Sequence, residues 1–319
     1  MFKRILIPLD GSILAECVLP HLIAIARISD PEVKLMRVSE PFGVTARLRM
    51  IDPVDWQTRK AEAKNYLSGI AAFLEDNAGL RVSIHLYDGK PAEQIIEVAH
   101  SWNADLILMS SHGQSGISPW NVSSVVQQVI LLVHRSLMLI RAYQPMISDL
   151  QGLRYSKIFL PLDGSQRAEM PLTLAESLAS AHSSEILVAH IVRQPELPRR
   201  TSASQEDVLL VNQLTARNRV EAIEYLEDLK SRIDLTIQTK LEVSPSISRS
   251  LHQIADENDV DLTILSAHGY SGDTRWPYGS VGLGFIVYGS TPLLILQDLP
   301  TNEIEPTQAE IAAREIGGH

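Results

Sequence analysis

Two segments of this chain say nearly the same thing. Arg4-Ile5-Leu6-Ile7-Pro8-Leu9-Asp10-Gly11-Ser12 opens it, and Lys157-Ile158-Phe159-Leu160-Pro161-Leu162-Asp163-Gly164-Ser165 repeats the pattern 153 residues later. A second pair, Ser110-Ser111-His112-Gly113-Gln114-Ser115-Gly116 and Ser266-Ala267-His268-Gly269-Tyr270-Ser271-Gly272, recurs at a step of 156. Two motifs returning at nearly one offset mean a duplicated domain. Halves of about 150 residues are each long enough to bury a core of their own.

Within each half, short apolar runs alternate with longer segments of helical period. The first half predicts strands near 3–9, 33–38, 80–87, 104–109 and 137–142, with helices at 14–28, 56–77, 91–102 and 123–134. The second predicts a strand from 156, then strands at 186–192, 235–243, 260–265 and 293–296, with helices at 167–181, 205–231, 247–257 and 280–289. Near-continuous apolar strands alternating with helices imply an α/β fold whose parallel sheet is covered on both faces. The reading is residues 1–144 and 156–299 as two tandem doubly wound domains, 145–155 as a linker, and the acidic stretch 300–319 as a tail. Residues 40–56, with Pro41, Gly43 and Pro53, read as a long surface loop over a site.

Charge narrows the function. A formal charge of −10 argues against a nucleic-acid surface, which needs several Lys or Arg on one face. The dense basic spots, Arg47-Leu48-Arg49 and Arg199-Arg200, fall in predicted loops. No apolar run reaches the roughly 18 residues of a membrane span, and Met1-Phe2-Lys3-Arg4 leads straight into a strand, so the expected compartment is the cytoplasm. The single cysteine, Cys17, sits on the apolar pattern of the first helix and reads as a buried thiol with no disulfide partner.

The glycine stretches carry the chemistry. Each follows a strand and precedes a helix, Ser123-Ser124-Val125 in the first half and Gly279-Ser280-Val281 in the second. A loop with few Cβ atoms lets backbone N–H groups close around an anion, and a helix start adds unpaired donors with partial positive charge. A tight connection without a ligand fits one such loop equally well; a second copy favours the binding reading. In a doubly wound sheet the crevice opens at the carboxyl ends of the strands, where the winding reverses. Asp10, with His112 and Gly113, and Asp163, with His268 and Gly269, gather there. Each aspartate also reads as a turn residue bonding its own backbone in Asp-Gly-Ser. Each histidine stands without a companion at metal-ligand spacing and reads as a residue that orders its loop.

These residues resemble the universal stress protein family in its tandem form. The likeness is carried by the strand ending Ile7-Pro8-Leu9-Asp10-Gly11-Ser12, the Ser-His-Gly-x-x-Gly turn and the Gly279-Ser280-Val281 helix entry, and it covers nearly the whole chain. It implies five strands per domain in the order 3-2-1-4-5 with helices on both faces, holding ATP, AMP or a related adenine nucleotide. The family's nucleotide-binding members carry Gly-2x-Gly-9x-Gly followed by Ser or Thr. Here the second half reads Ser266, Gly269, Gly279, Ser280, and the first reads Ser110, Gly113, Ser123, Ser124. The resemblance places phosphates on Gly113, Gly116, Ser123 and Ser124 or on Gly269, Gly272, Gly279 and Ser280. It places adenine near Asp10 and Val38, or near Asp163 and Ile191, with Asp163 bonding base or ribose or sharing Mg²⁺ with the nucleotide.

The departures order the two sites. If the third glycine position needs a positive φ or close phosphate approach, Ser123 adds strain of roughly 1–2 kcal/mol and a Cβ where backbone should be bare, and the second half is favoured. Arg275 is expected to reach phosphate, and Trp120 and Trp276 to pack below the loop. The last strands of the halves resemble those by which single-domain members pair, so one chain is expected to form its own pseudo-dimer, with a homodimer left open. The leading function is a nucleotide-binding stress or signalling protein whose bound state alters contacts with a protein partner. The alternative is a pseudo-dimeric scaffold that binds no nucleotide. An adenylate-forming enzyme ranks last, since no nucleophile and base are paired; at most slow ATP hydrolysis is expected.

Overall fold

The computed structural model describes residues 1–39, 53–114, 116, 122–142, 152–197, 203–270 and 276–298, without the side chains of 53–55. The expected loop 40–56 falls largely outside them, as do most of the expected linker and all of the tail. They form two compact units, the first built on Met1–Arg154 and the second on Tyr155–Asp273 and Gly279–Asp298.

The first unit runs β1 (Arg4–Pro8), α1 (Ile13–Glu16), α2 (Leu19–Ala26), β2 (Glu32–Ser39), α3 (Pro53–Ala78), β3 (Arg81–Asp88), α4 (Pro91–Ser101), β4 (Leu106–Ser110), α5 (Ser124–Leu132) and β5 (Ser136–Ile140). The second repeats it as β6 (Lys157–Pro161), α6 (Gln166–Glu169), α7 (Leu172–His182), β7 (Glu185–Arg193), α8 (Gln205–Arg232), β8 (Ile237–Ser244), α9 (Ile247–Glu257), β9 (Leu262–Ser266), α10 (Ser280–Tyr288) and β10 (Leu293–Leu296). Strands lie in the order β3-β2-β1-β4-β5 in one unit and β8-β7-β6-β9-β10 in the other, and the paired strands are parallel. This is the expected doubly wound α/β fold.

Burial explains the apolar strand runs. Ile5, Leu6 and Ile7 of β1, and Leu106, Ile107 and Leu108 of β4, have no exposed surface on either face of the sheet. Each such side chain removed from water contributes about 1.5–3 kcal/mol. The amino ends of β1 and β4 are joined by Asp105, whose carboxylate accepts the backbone N–H groups of Lys3 and Arg4 at 2.8 and 2.9 Å. Asp261 does the same for Ser156 and Lys157, at 2.6 and 3.1 Å.

The first helix of each unit departs from expectation. The periodic segments 14–28 and 167–181 each split in two, α1 with α2 and α6 with α7. Pro20 in the first turn of α2 and Pro171 at the N-cap of α7 explain the breaks, because proline has no N–H to continue a preceding helix. Cys17 caps the end of α1, and burial pushes its thiol up to about 12. Among the described residues no helix is long and apolar enough to cross a membrane.

His21 on α2 is buried, and burial lowers its pKa from 6.5 to about 3. The unfolded chain takes up this proton near pH 6.5 and the folded chain only near 3, so its contribution to stability is intact above 6.5 and shrinks as the pH falls. A His21→Leu variant is expected to lose up to one proton's worth of that pH dependence, about 1.4 kcal/mol per pH unit. Urea denaturation at several pH values measures it, and an unchanged slope contradicts the assignment.

Candidate functional site

One side chain in each unit ties the carboxyl end of the central strand to the glycine loop beyond its neighbour. Asp10 Oδ1 accepts the backbone N–H and the hydroxyl of Ser12 at 2.9 and 2.7 Å, while Oδ2 accepts the backbone N–H of Gln114. Asp163 repeats this with the Ser165 N–H and hydroxyl at 3.0 and 2.6 Å and the Tyr270 N–H at 2.6 Å. Each carboxylate lies against the glycine before that amide, so a Cβ on Gly113 or Gly269 would overlap it. The turn-residue reading of the aspartates accounts for one oxygen; the other crosses about a hundred residues of sequence to hold the loop.

The loops then rejoin the sheet in matching ways. Ser123 N–H donates to Ser111 O at 2.8 Å, and Gly279 N–H donates to Ala267 O at 2.7 Å. Ser123 has φ −70°, ψ 163° and Gly279 φ −70°, ψ 172°, extended backbone that any residue adopts. The expected strain at Ser123 is therefore absent. Its hydroxyl instead caps α5, accepting the Val126 N–H at 3.3 Å, whereas no side chain caps α10. Ser124 and Ser280 are the exposed first residues of the two helices. Gly116, at φ +77° with its N–H on Gly113 O at 2.8 Å, closes the first loop in a conformation that favours glycine.

At this edge the first unit has a crevice of about 930 Å³. Its walls include Asp10, Val38, Gly113, Ser123 and Ser124, brought together as expected, with Trp56, Arg37 and Arg59 added. Arg37 stands near the end of β2 with its guanidinium 5.7 Å from the Tyr66 ring centre. It lies against Gly11, where a Cβ would be 2.7 Å from a guanidinium nitrogen. Pro8 pairs with Met36 and Pro161 with Ala189, so the second unit has His190 in place of Arg37 and Ile191 in place of Val38. His190 sits 5.8 Å from the Tyr225 ring. Burial lowers its pKa, against a smaller raising effect of Asp163. The first crevice holds an arginine where the second unit holds a histidine whose burial disfavours its charged form.

The loop histidines are both buried. His112 Nδ1 lies 3.1 Å from the Ser111 hydroxyl, and His268 Nδ1 lies 2.6 Å from the buried Asp298 carboxylate. The Ser110 hydroxyl donates to His112 O at 2.6 Å. Its counterpart Ser266 has a buried Oγ without a hydrogen-bond partner among the described residues. Gly272, Arg275 and Trp120 lie outside the described residues. Trp276, expected to pack beneath the loop, is 55% exposed.

The Universal stress protein family model matches residues 1–141 and again 154–297. The chain belongs to the universal stress protein family. A universal stress protein of Methanocaldococcus jannaschii is 28% identical over 156 residues, 44% of this chain and 96% of that protein. Among solved structures, a universal stress protein from Archaeoglobus fulgidus superposes over 92% of this chain and 98% of its own, with TM-score 0.64 and 16% identity. A putative universal stress protein from Pseudomonas aeruginosa covers 99% and 97%, with TM-score 0.64 and 13% identity.

In this universal stress protein the Mg²⁺ expected with the nucleotide would meet a single carboxylate, Asp163. Both oxygens of Asp163 already accept amide or hydroxyl hydrogens. Among the described residues no group of three or more His, Cys, Asp or Glu is placed to bind a metal, so an ion shared with Asp163 would take its other ligands from the nucleotide's phosphates and water. Arg37 and Arg59 escaped the sequence reading. The signal for Arg37 is a cation set in a buried strand one residue before Val38; Arg59 and Trp56 reach the crevice from α3, and nothing local marks them.

The overlap at the glycines gives a test. Gly113→Ala and Gly269→Ala are each expected to lose about 1–3 kcal/mol of stability, most of it recovered when Asp10→Ala or Asp163→Ala removes the opposing carboxylate. Chemical denaturation of the two double-mutant cycles measures this, and additive losses would show that the carboxylate is not what excludes the side chain.

Proposed function

We propose that this universal stress protein binds an adenine nucleotide, ATP or AMP, at the carboxyl edge of its sheets and passes the bound state to a protein partner in stress response or signalling. The observation that carries the reading is the first unit's crevice. Its volume suits a ligand of this size, the N-terminus of α5 lines it, and Arg37 and Arg59 set positive charge in its walls beside the carboxylates of Asp10 and Glu62. The sequence favours the second unit, but one ground for that preference, strain at Ser123, is gone. The uncapped N-terminus of α10, with Gly279 and Ser280, supports a second phosphate position there. In both units the nucleotide meets backbone amides and the helix end, while Asp10 and Asp163 shape the loop. The reading assigns no turnover beyond slow ATP hydrolysis.

Ser124→Asp and Ser280→Asp place a carboxylate in the first turn of each helix, which favours the fold and repels phosphate. Titration calorimetry with ATP and AMP is expected to show Ser124→Asp weakening binding about tenfold or more, a loss of about 1.4 kcal/mol, with Ser280→Asp removing any second, separate site. Absence of heat with the unaltered chain leaves the paired-scaffold function in its place. Loss with Ser280→Asp alone returns the site to the second unit.

A further inference from the structure

Helix α8 carries exposed apolar side chains, at two of whose places its counterpart in the first unit has charged residues. Ala222, Leu226 and Leu229 are its buried residues, while Leu210, Leu214, Val220 and Ile223 are 57%, 48%, 55% and 44% exposed. Helix α3 is the internal comparison. Its buried Ala63 and Leu67 occupy the places of Ala222 and Leu226. At the places of Leu214, Val220 and Ile223 it has Asp55, Ala61 and Lys64, while the place of Leu210 falls at Ile51, before the helix and outside the described residues. The fold therefore does not require an apolar residue at the place of Leu214, and exposed apolar side chains grouped on one side of a helix mark contact surfaces.

The stripe is also self-complementary. Asp207, Leu210, Leu214 and Arg217 follow one another at steps of three, four and three, so they line one side of the helix. Reversing the helix about Asn212 exchanges Leu210 with Leu214 and Asp207 with Arg217. We infer that α8 packs antiparallel against α8 of a second copy of this chain, with Leu210 and Leu214 of both copies at the centre. Asp207 of each copy then faces Arg217 of the other, an arrangement in which one patch serves both sides of a two-fold.

Local bonds do not oppose this. Asp207 accepts from the Ser204 N–H and hydroxyl in a capping box and keeps lone pairs for a guanidinium. Arg217 donates through Nε to Glu221 at 3.1 Å, which leaves its other N–H groups to a partner. A contact of a few helical turns is small for a stable interface, so the dimer is a micromolar one. It is independent of nucleotide binding.

Sedimentation equilibrium of the full chain without nucleotide tests the pairing. A concentration-dependent monomer–dimer equilibrium is expected, with Leu214→Glu raising the dissociation constant about tenfold or more and circular dichroism unchanged. Arg217→Asp sets two carboxylates against each other and Asp207→Arg two guanidiniums, so each variant alone is expected to stay monomeric. An equimolar mixture is expected to dimerise, since every contact then joins opposite charges. A chain monomeric throughout the micromolar range, a dimer indifferent to Leu214→Glu, or a mixture no tighter than its components overturns the inference. So does a monomer that dimerises only after residues 300–319 are removed, which assigns the stripe to the chain's own tail.

Discussion

The bond from the strand-end aspartate to the amide after the loop glycine is the contact on which the rest of each unit turns. It joins two neighbouring strands at the edge where a doubly wound sheet opens, and Asp105 or Asp261 joins the same two strands at the opposite edge. A parallel pair held at both ends cannot slip by a residue, and a one-residue slip would turn every buried side chain of β1 or β6 to the wrong face. The loop so anchored delivers the following helix with its N-terminus facing the crevice. Positioning of the amides proposed to meet phosphate thus begins with a carboxylate that need not touch the ligand.

This changes what the glycine is for. Gly113 and Gly269 read in the sequence as bare backbone for a phosphate, and the structure shows the bareness used first to admit an aspartate. The two uses are compatible, because the carboxylate occupies the glycine's Cβ side and the helix N-terminus is a separate donor set. The copies differ where the ligand would be felt: a serine cap against an uncapped glycine, and Arg37 against His190. Duplication has kept the frame and let its electrostatics diverge.

Much of this was legible because the repeat fixes the fold twice over. The parallel sheet, the gathering of Asp10 and Gly113 at one edge and the first-turn position of Ser280 follow from two copies of an alternating pattern, whereas the strand order and the place of Val38 are what the family resemblance implies. What escaped was long-range or conformational. The φ of Ser123 could not be inferred from a glycine at the equivalent place, since Gly279 is there in an ordinary extended conformation. The second oxygen of Asp10 bonds an amide 104 residues away, a distance at which sequence carries no local trace. The divided first helices were readable in principle, because Pro20 and Pro171 are visible, but the apolar period runs through both and masks the break.

Cys17 has a consequence for how a member of a stress family can sense its surroundings. Burial pushes its thiol up to about 12, away from the thiolate form that oxidants attack. Desolvation thus works against a redox role for the chain's lone sulfhydryl.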